Sequence, residues 1–190
     1  MARPKSECKR IALLEAAKLA VAEFGLGAAT SLIAKNAGVA EGTLFRYFAT
    51  KDELLNGLYL YLKTSLGGTM MQNFQADASV KERARMVWSS FIDWGLVHPQ
   101  ASKAMRQLAV SDKITQETKD SVARVHPELR KLAEDCITNE LLSCGQSAFA
   151  DAIFFSLAET TTEFASREPE KAQQYKTSGF EAMWRAMSRS

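Results

Sequence analysis

The stretch from Ala28 to Leu55, AATSLIAKNAGVAEGTLFRYFATKDELL, limits what this chain can fold into more than any other. Ile33 and Ala34 fall on the apolar side of one short helix. Leu44, Phe45 and Phe48 are the apolar positions of a second, near Gly42 to Phe48, with Thr43, Arg46 and Tyr47 between them. Asn36-Ala37-Gly38-Val39 is the turn, and Gly38 can take the left-handed conformation that closes a helix without a Cβ penalty. Thr50-Lys51-Asp52-Glu53 then supplies a capping box, Ser/Thr-x-x-Glu, for a further helix. A helix, a glycine turn and a short helix with a polar face make a helix-turn-helix, the motif that lays its second helix in the major groove of DNA.

Charge fits that motif by its distribution. Residues 1–51 hold eight Lys/Arg (3, 5, 9, 10, 18, 35, 46 and 51) and four Glu (7, 15, 23 and 41), a net +4. The whole chain carries +2, so the remainder is −2. A basic N-terminal segment on a slightly acidic body suits phosphate contact at one end. Arg3, Lys5, Lys9 and Arg10 form a basic arm leading into a first helix with apolar positions 11, 14, 17, 21 and 24, ending at Phe24-Gly25. Thr30 or Ser31 is expected to cap the next helix, whose N-terminus can also hold a phosphate.

The rest reads as helices. Leu54, Leu55, Leu58, Tyr59 and Leu62 form a broad apolar stripe on a helix expected to loosen around Gly67-Gly68, and Asn73 to Val80 reads as a loop. A helix from Lys81 to about Val97 ends at His98-Pro99, and an amphipathic run covers Gln100 to Ser111. A longer helix, from about Thr115 to Leu142, is kinked or split by Pro127. Residues 147–165 are apolar nearly all round, which predicts burial on two sides. After Pro169 a last helix carries Phe180, Met183, Trp184 and Met187 at three- and four-residue steps. These two helices have more apolar surface than one small bundle needs. They predict a homodimer interface through Leu157, Thr161, Phe180, Met183, Trp184 and Met187.

Ile33-Ala34, Ala37-Gly38-Val39, Gly42-Thr43-Leu44-Phe45, Tyr47-Phe48 and Lys51 to Leu55 resemble the signature of the TetR family of transcriptional repressors, over roughly the first quarter of the chain. The resemblance implies an all-α fold: an N-terminal helix-turn-helix domain of three helices (1–51) and a helical ligand-binding and dimerisation bundle (52–190). It assigns DNA contact to Thr30, Glu41, Gly42, Thr43, Phe45, Arg46, Tyr47 and Lys51. Phe45 stands where the family commonly has Tyr, so a hydroxyl hydrogen bond is lost. Ala40 stands where it often has Ser, at a cost of ~1 kcal/mol in capping. The segments Met1 to Glu7, Asn36 to Glu53, Arg106 to Ser111 and Phe180 to Ala186 also resemble a family member that acts in control of multidrug efflux.

Aromatic residues concentrate in the body: Tyr59, Trp88, Phe91, Trp94, Phe154 and Phe155. Most such residues are simply core. Asp151 and Glu159, a turn away on an otherwise apolar helix, favour a pocket for flat hydrophobic, cationic or bile-like compounds instead. Tyr59, Trp88, Phe91, Asp151, Phe154 and Phe155 are its candidate residues.

Other function classes find less support. Three cysteines (Cys8, Cys136, Cys144) have no metal-like spacing, and His98 and His126 are isolated, so neither disulfides, metal, cofactor nor enzyme chemistry is expected. No apolar run approaches membrane-spanning length and no secretory leader is visible, which predicts a cytoplasmic protein. The expected activity is release of a palindromic operator, bound by the homodimer, when a small molecule enters. A DNA-binding activator of the same fold, and a helical partner-binding module, are the rival readings.

Overall fold

The computed structural model describes residues 5–138 and 147–187, and every described element is helical. Arg3, Cys144 and the expected helix end at Leu142 lie outside the described residues, as do the side chains of Lys5 and Asp151. In chain order the helices are α1 (Lys5–Phe24), α2 (Thr30–Asn36), α3 (Glu41–Tyr47), α4 (Lys51–Met71), α5 (Val80–Val97), α6 (Pro99–Ala109), α7 (Gln116–Val125), α8 (Pro127–Thr138), α9 (Ser147–Arg167) and α10 (Ala172–Met187), the last preceded by a 3-10 turn at Pro169–Lys171. The chain divides into two compact units, Met1–Ser65 with His98–Arg124 and Leu66–Val97 with Val125–Ser190.

The core of the first unit is aliphatic. Leu13, Leu14, Val21, Ile33, Leu44, Leu54 and Leu58 are all buried. On α1 the buried stripe is wider than the predicted spacing, because Ala16 and Ala20 join Leu14, Ala17 and Val21. Phe24, predicted to face inward, is instead 56% exposed. It is the last residue of α1, and Gly25 turns the backbone away at φ 76°. The capping box at α4 forms with its return bond one residue early: Glu53 N–H donates to Thr50 Oγ1 at 3.1 Å, and Ala49 N–H donates to Glu53 Oε2 at 2.8 Å. Tyr61 of α4 donates to Glu15 Oε1 of α1 at 2.8 Å, and Glu15 also pairs with Lys18. The Asn56 amide donates to the Lys113 carbonyl at 2.8 Å, and its oxygen accepts from Thr115 N–H at 3.0 Å. Asp52 and Lys113 add an ion pair at 3.2 Å, so the α6–α7 turn is fastened to the start of α4.

In the second unit α9 and α10 lie side by side and α5 packs against both. Gly179 permits this closeness, since a Cβ there would sit 2.4 Å from Thr161 Oγ1 and 2.9 Å from the Trp88 ring. The Trp88 indole N–H donates to the Lys176 carbonyl at 2.9 Å, which satisfies a fully buried ring. Buried Arg83 of α5 reaches Asp135 of α8 at 2.8 Å. Burial pushes the neighbouring Cys136 thiol up to about 11, so it stays protonated at neutral pH.

Three element boundaries differ from expectation. Helix α4 does not loosen at Gly67-Gly68 but runs on to Met71. Gly67 is a socket: a Cβ there would lie 2.2 Å from Cδ2 of His126. Helix α5 begins at Val80, one residue early, because Ser79 and Glu82 form a second capping box with contacts of 3.0 and 3.3 Å. Pro127 does divide the predicted long helix, leaving α7 to end at Val125 and α8 to start on the proline.

Candidate nucleic-acid interface

Helices α2 and α3 are joined by residues 37–40, with Gly38 at φ 69° as its position in the turn predicts. The turn is closed by Ala37 N–H to Ile33 O at 3.0 Å and Val39 N–H to Ala34 O at 3.0 Å. Leu44 is fully buried and Phe48 nearly so, which fixes the roll of α3. The Arg10 guanidinium lies 5.4 Å from the Phe48 ring centroid and packs the N-terminal helix onto α3.

That roll leaves Glu41, Gly42, Phe45 and Arg46 exposed, with Thr43, Tyr47 and Lys51 half-buried. Phe45 is 42% exposed, an aromatic ring partly open to solvent. No atom lies within 4 Å of a Cβ built on Gly42, so no packing contact within the chain demands a glycine there. Among the described residues neither Arg46 nor Lys51 has an ion-pair partner.

The expected cap of α2 does not form. Ala29 is the N-cap residue and makes no side-chain cap, while Thr30 is the first helical residue. Its hydroxyl instead donates to Glu41 Oε1 at 2.6 Å, across the start of α3. Ala40 likewise leaves α3 without a side-chain cap, as the Ser-to-Ala departure predicts. The Thr30–Glu41 contact spans eleven residues, and no local pattern announces it.

The candidate ligand residues divide between the two units. Trp88, Phe91, Phe154 and Phe155 form one ring cluster: Trp88–Phe154 at 5.6 Å edge to face, Phe91–Phe155 at 5.6 Å and Phe154–Phe155 at 5.3 Å. Tyr59 belongs to the first unit and is buried there, with the Lys63 ammonium 5.6 Å from its ring centroid. A separate open groove of about 340 Å³ runs along α5, lined by Asn73, Glu82, Arg85, Met86, Ser89, Ser90 and Asp93. It contains none of the aromatic cluster. Its charges are committed, Arg85 to Glu181 at 2.7 Å and Asp93 to Lys176 at 2.8 Å.

Among the residues expected at a dimer interface, Thr161, Phe180 and Met183 are buried within the chain itself. Phe180 lies edge to face with Trp88 of α5 at 6.3 Å, and none of the three is open to a partner. Leu157, Trp184 and Met187 are half-buried, with Trp184 stacked on Phe180 at 5.9 Å. The open face of α9 carries Ala152, Ser156, Thr160 and Phe164, and that of α10 carries Gln174, Ser178, Ala182 and Arg185. Inward-facing large residues dominated the sequence pattern and hid these open faces, whose small positions are Ala152, Ser156, Thr160, Ser178 and Ala182.

Among the described residues no helix is long and apolar enough to cross a membrane, and no three His, Cys, Asp or Glu side chains gather as metal ligands. The architecture is that of a helix-turn-helix protein with a helical body, and known proteins share it. Residues 13–58 match the model of the bacterial regulatory proteins of the tetR family. A stretch of 79 residues is 38% identical to the HTH-type transcriptional regulator BetI of Yersinia pestis (strain Pestoides F), covering 41% of this chain and 40% of that protein. The chain thus spans well under half the length of the curated relatives it matches. A solved TetR family transcription regulator from Marinobacter aquaeolei VT8 superposes over the whole of both chains with a TM-score of 0.84 and 21% identity. The TetR-like transcriptional regulator LfrR from Mycobacterium smegmatis, solved in complex with proflavine, matches with a TM-score of 0.65 and 18% identity over 93% of this chain and 95% of that one. The chain therefore has the TetR fold throughout its length. Its residues 13–58 are similar to the N-terminal domain of the tetR family.

Proposed function

We propose that this protein is a ligand-responsive transcriptional repressor. Residues 1–51 bind a palindromic operator, and residues 52–190 bind small molecules and form the homodimer. The observation that carries the reading is the outer face of α3, where Gly42 is open and Phe45 and Arg46 are exposed. Gly42, the second residue of α3, carries a backbone-entropy cost relative to alanine. Nothing inside the chain repays that cost, whereas a phosphate backbone approaching the helix does. Thr43 suits a base edge or a thymine methyl, Arg46 a guanine or phosphate, and Tyr47 and Lys51 phosphates.

The aromatic cluster of the second unit supports flat hydrophobic or cationic inducers, and bile-like amphipaths beside them. The relative LfrR, bound to the planar dye proflavine, points the same way. The ligand acts by binding one of two head spacings more tightly than the other. Resemblance of four segments to RamR, a repressor of a gene whose product activates multidrug efflux, favours efflux control as the regulated process and the cytoplasm as its place. The open faces of α9 and α10 fit a four-helix bundle between two copies, because their small residues let helices approach closely.

Arg46→Ala combined with Lys51→Ala tests the reading. Binding to all DNA should weaken, and the slope of log affinity against log salt should become shallower by roughly one for each phosphate that is no longer neutralised. Unchanged affinity and slope would overturn it. Release of the selected operator by cationic dyes or bile salts, followed by fluorescence anisotropy, tests the inducer class.

A further inference from the structure

We infer that Glu41 is a specificity-determining residue that selects cytosine at one position of each operator half-site, and that Thr30 is the residue that positions it. This rests on the DNA-binding reading above and deepens it.

Glu41 stands in the first turn of α3, the second helix of the helix-turn-helix, and its side chain is exposed. Residues at that end of the helix meet base edges. A carboxylate there is a liability for affinity, because it faces a polyanion. Discrimination between bases offsets that liability.

An ionised carboxylate accepts hydrogen bonds and donates none. In the major groove only cytosine N4 and adenine N6 carry donors. Adenine sets its N7 acceptor beside the donor, which repels a carboxylate, whereas guanine and thymine offer it only acceptors. Cytosine is left as the favoured partner.

A free glutamate has three rotatable bonds and would spread its charge over several base steps. Here the Thr30 hydroxyl donates to Oε1 at 2.6 Å, which leaves Oε2 available to accept from a base. The bond commits the one proton of the Thr30 hydroxyl, so that side chain does not also donate to a phosphate. Thr30 acts through Glu41.

Site selection from a random DNA library, run on the full-length wild-type chain and on Glu41→Gln, Thr30→Val and Thr30→Ser, tests this. The wild type should enrich cytosine at one position per half-site. Glu41→Gln should lose about tenfold of that preference and move toward adenine, which pairs with an amide in bidentate fashion. Its affinity for random DNA should rise severalfold as a repulsive charge is removed. Thr30→Val should relax the same position to a smaller degree, and Thr30→Ser, which keeps the hydroxyl, should retain it.

The side chains are not part of a buried core, and a thermal melt confirms that each variant is folded. An enriched site identical in wild type and Glu41→Gln overturns this assignment alone. Relaxation at every position in Thr30→Val overturns the positioning role. A wild type that enriches no site overturns the DNA-binding reading and this one with it.

Discussion

Glu15 shows how one side chain holds two helices together. Burial pushes its carboxyl up, but hydrogen bonds from Lys18 and Tyr61, with the Lys18 charge, outweigh that and hold it below the usual carboxylate range. A depressed folded value means that the stabilisation is present above the unfolded value of 4.5 and fades as pH falls through the lower folded one. Tyr61→Phe removes one donor and should cost about 1 kcal/mol at neutral pH. The gap from wild type should narrow as the carboxyl is protonated, and paired thermal melts at neutral and strongly acidic pH read it directly. A gap that stays constant would show that the Tyr61 hydroxyl does not act through the ionised Glu15 carboxylate.

At the scale of helices the instructive pair is Gly67 and Gly68. Sequence alone reads them together as a weak point in α4. The structure separates them: a Cβ on Gly68 meets nothing within 4 Å, while one on Gly67 collides with the His126 ring. Gly68→Ala should therefore stabilise by up to about 1 kcal/mol through helix propensity. Gly67→Ala should destabilise by roughly 1–3 kcal/mol through overpacking. Denaturant titrations of the two variants should shift in opposite directions.

The same contrast explains what was legible beforehand. Gly38, the Thr50–Glu53 box, the split at Pro127 and the buried Leu44 all follow from rules acting within a few residues. Thr30–Glu41, His126 on Gly67 and Trp88 against Gly179 join distant segments, and no local period encodes them. Phe180 and Met183 were legible as buried but not as to what buries them. Period gives the face of a helix and not its neighbour.

For the whole molecule, the proposed dimer depends on small residues on the open faces of α9 and α10. Ser156→Arg with Ser178→Arg places a large charge on each face. These residues are exposed, so the chain should fold unchanged while sedimentation shows monomer in place of dimer. Operator affinity should fall at least tenfold, since the dimer's two heads bind as one unit through their high effective concentration. A variant that remains dimeric would remove these faces from the interface.

The three tryptophans are Trp88, Trp94 and Trp184, and all belong to the second unit. Trp88 lies edge-on to Phe154 and is fully buried, and Trp94 is nearly so. Tryptophan emission is therefore a private optical channel for the second unit, silent about the first. A ligand seated against Trp88 should quench or shift that light without any label being attached. Operator DNA, which has no tryptophan beside α3 to perturb, should change the colour of the protein only when its binding is felt in the other unit. A spectrometer alone can thus report whether the two halves speak to each other.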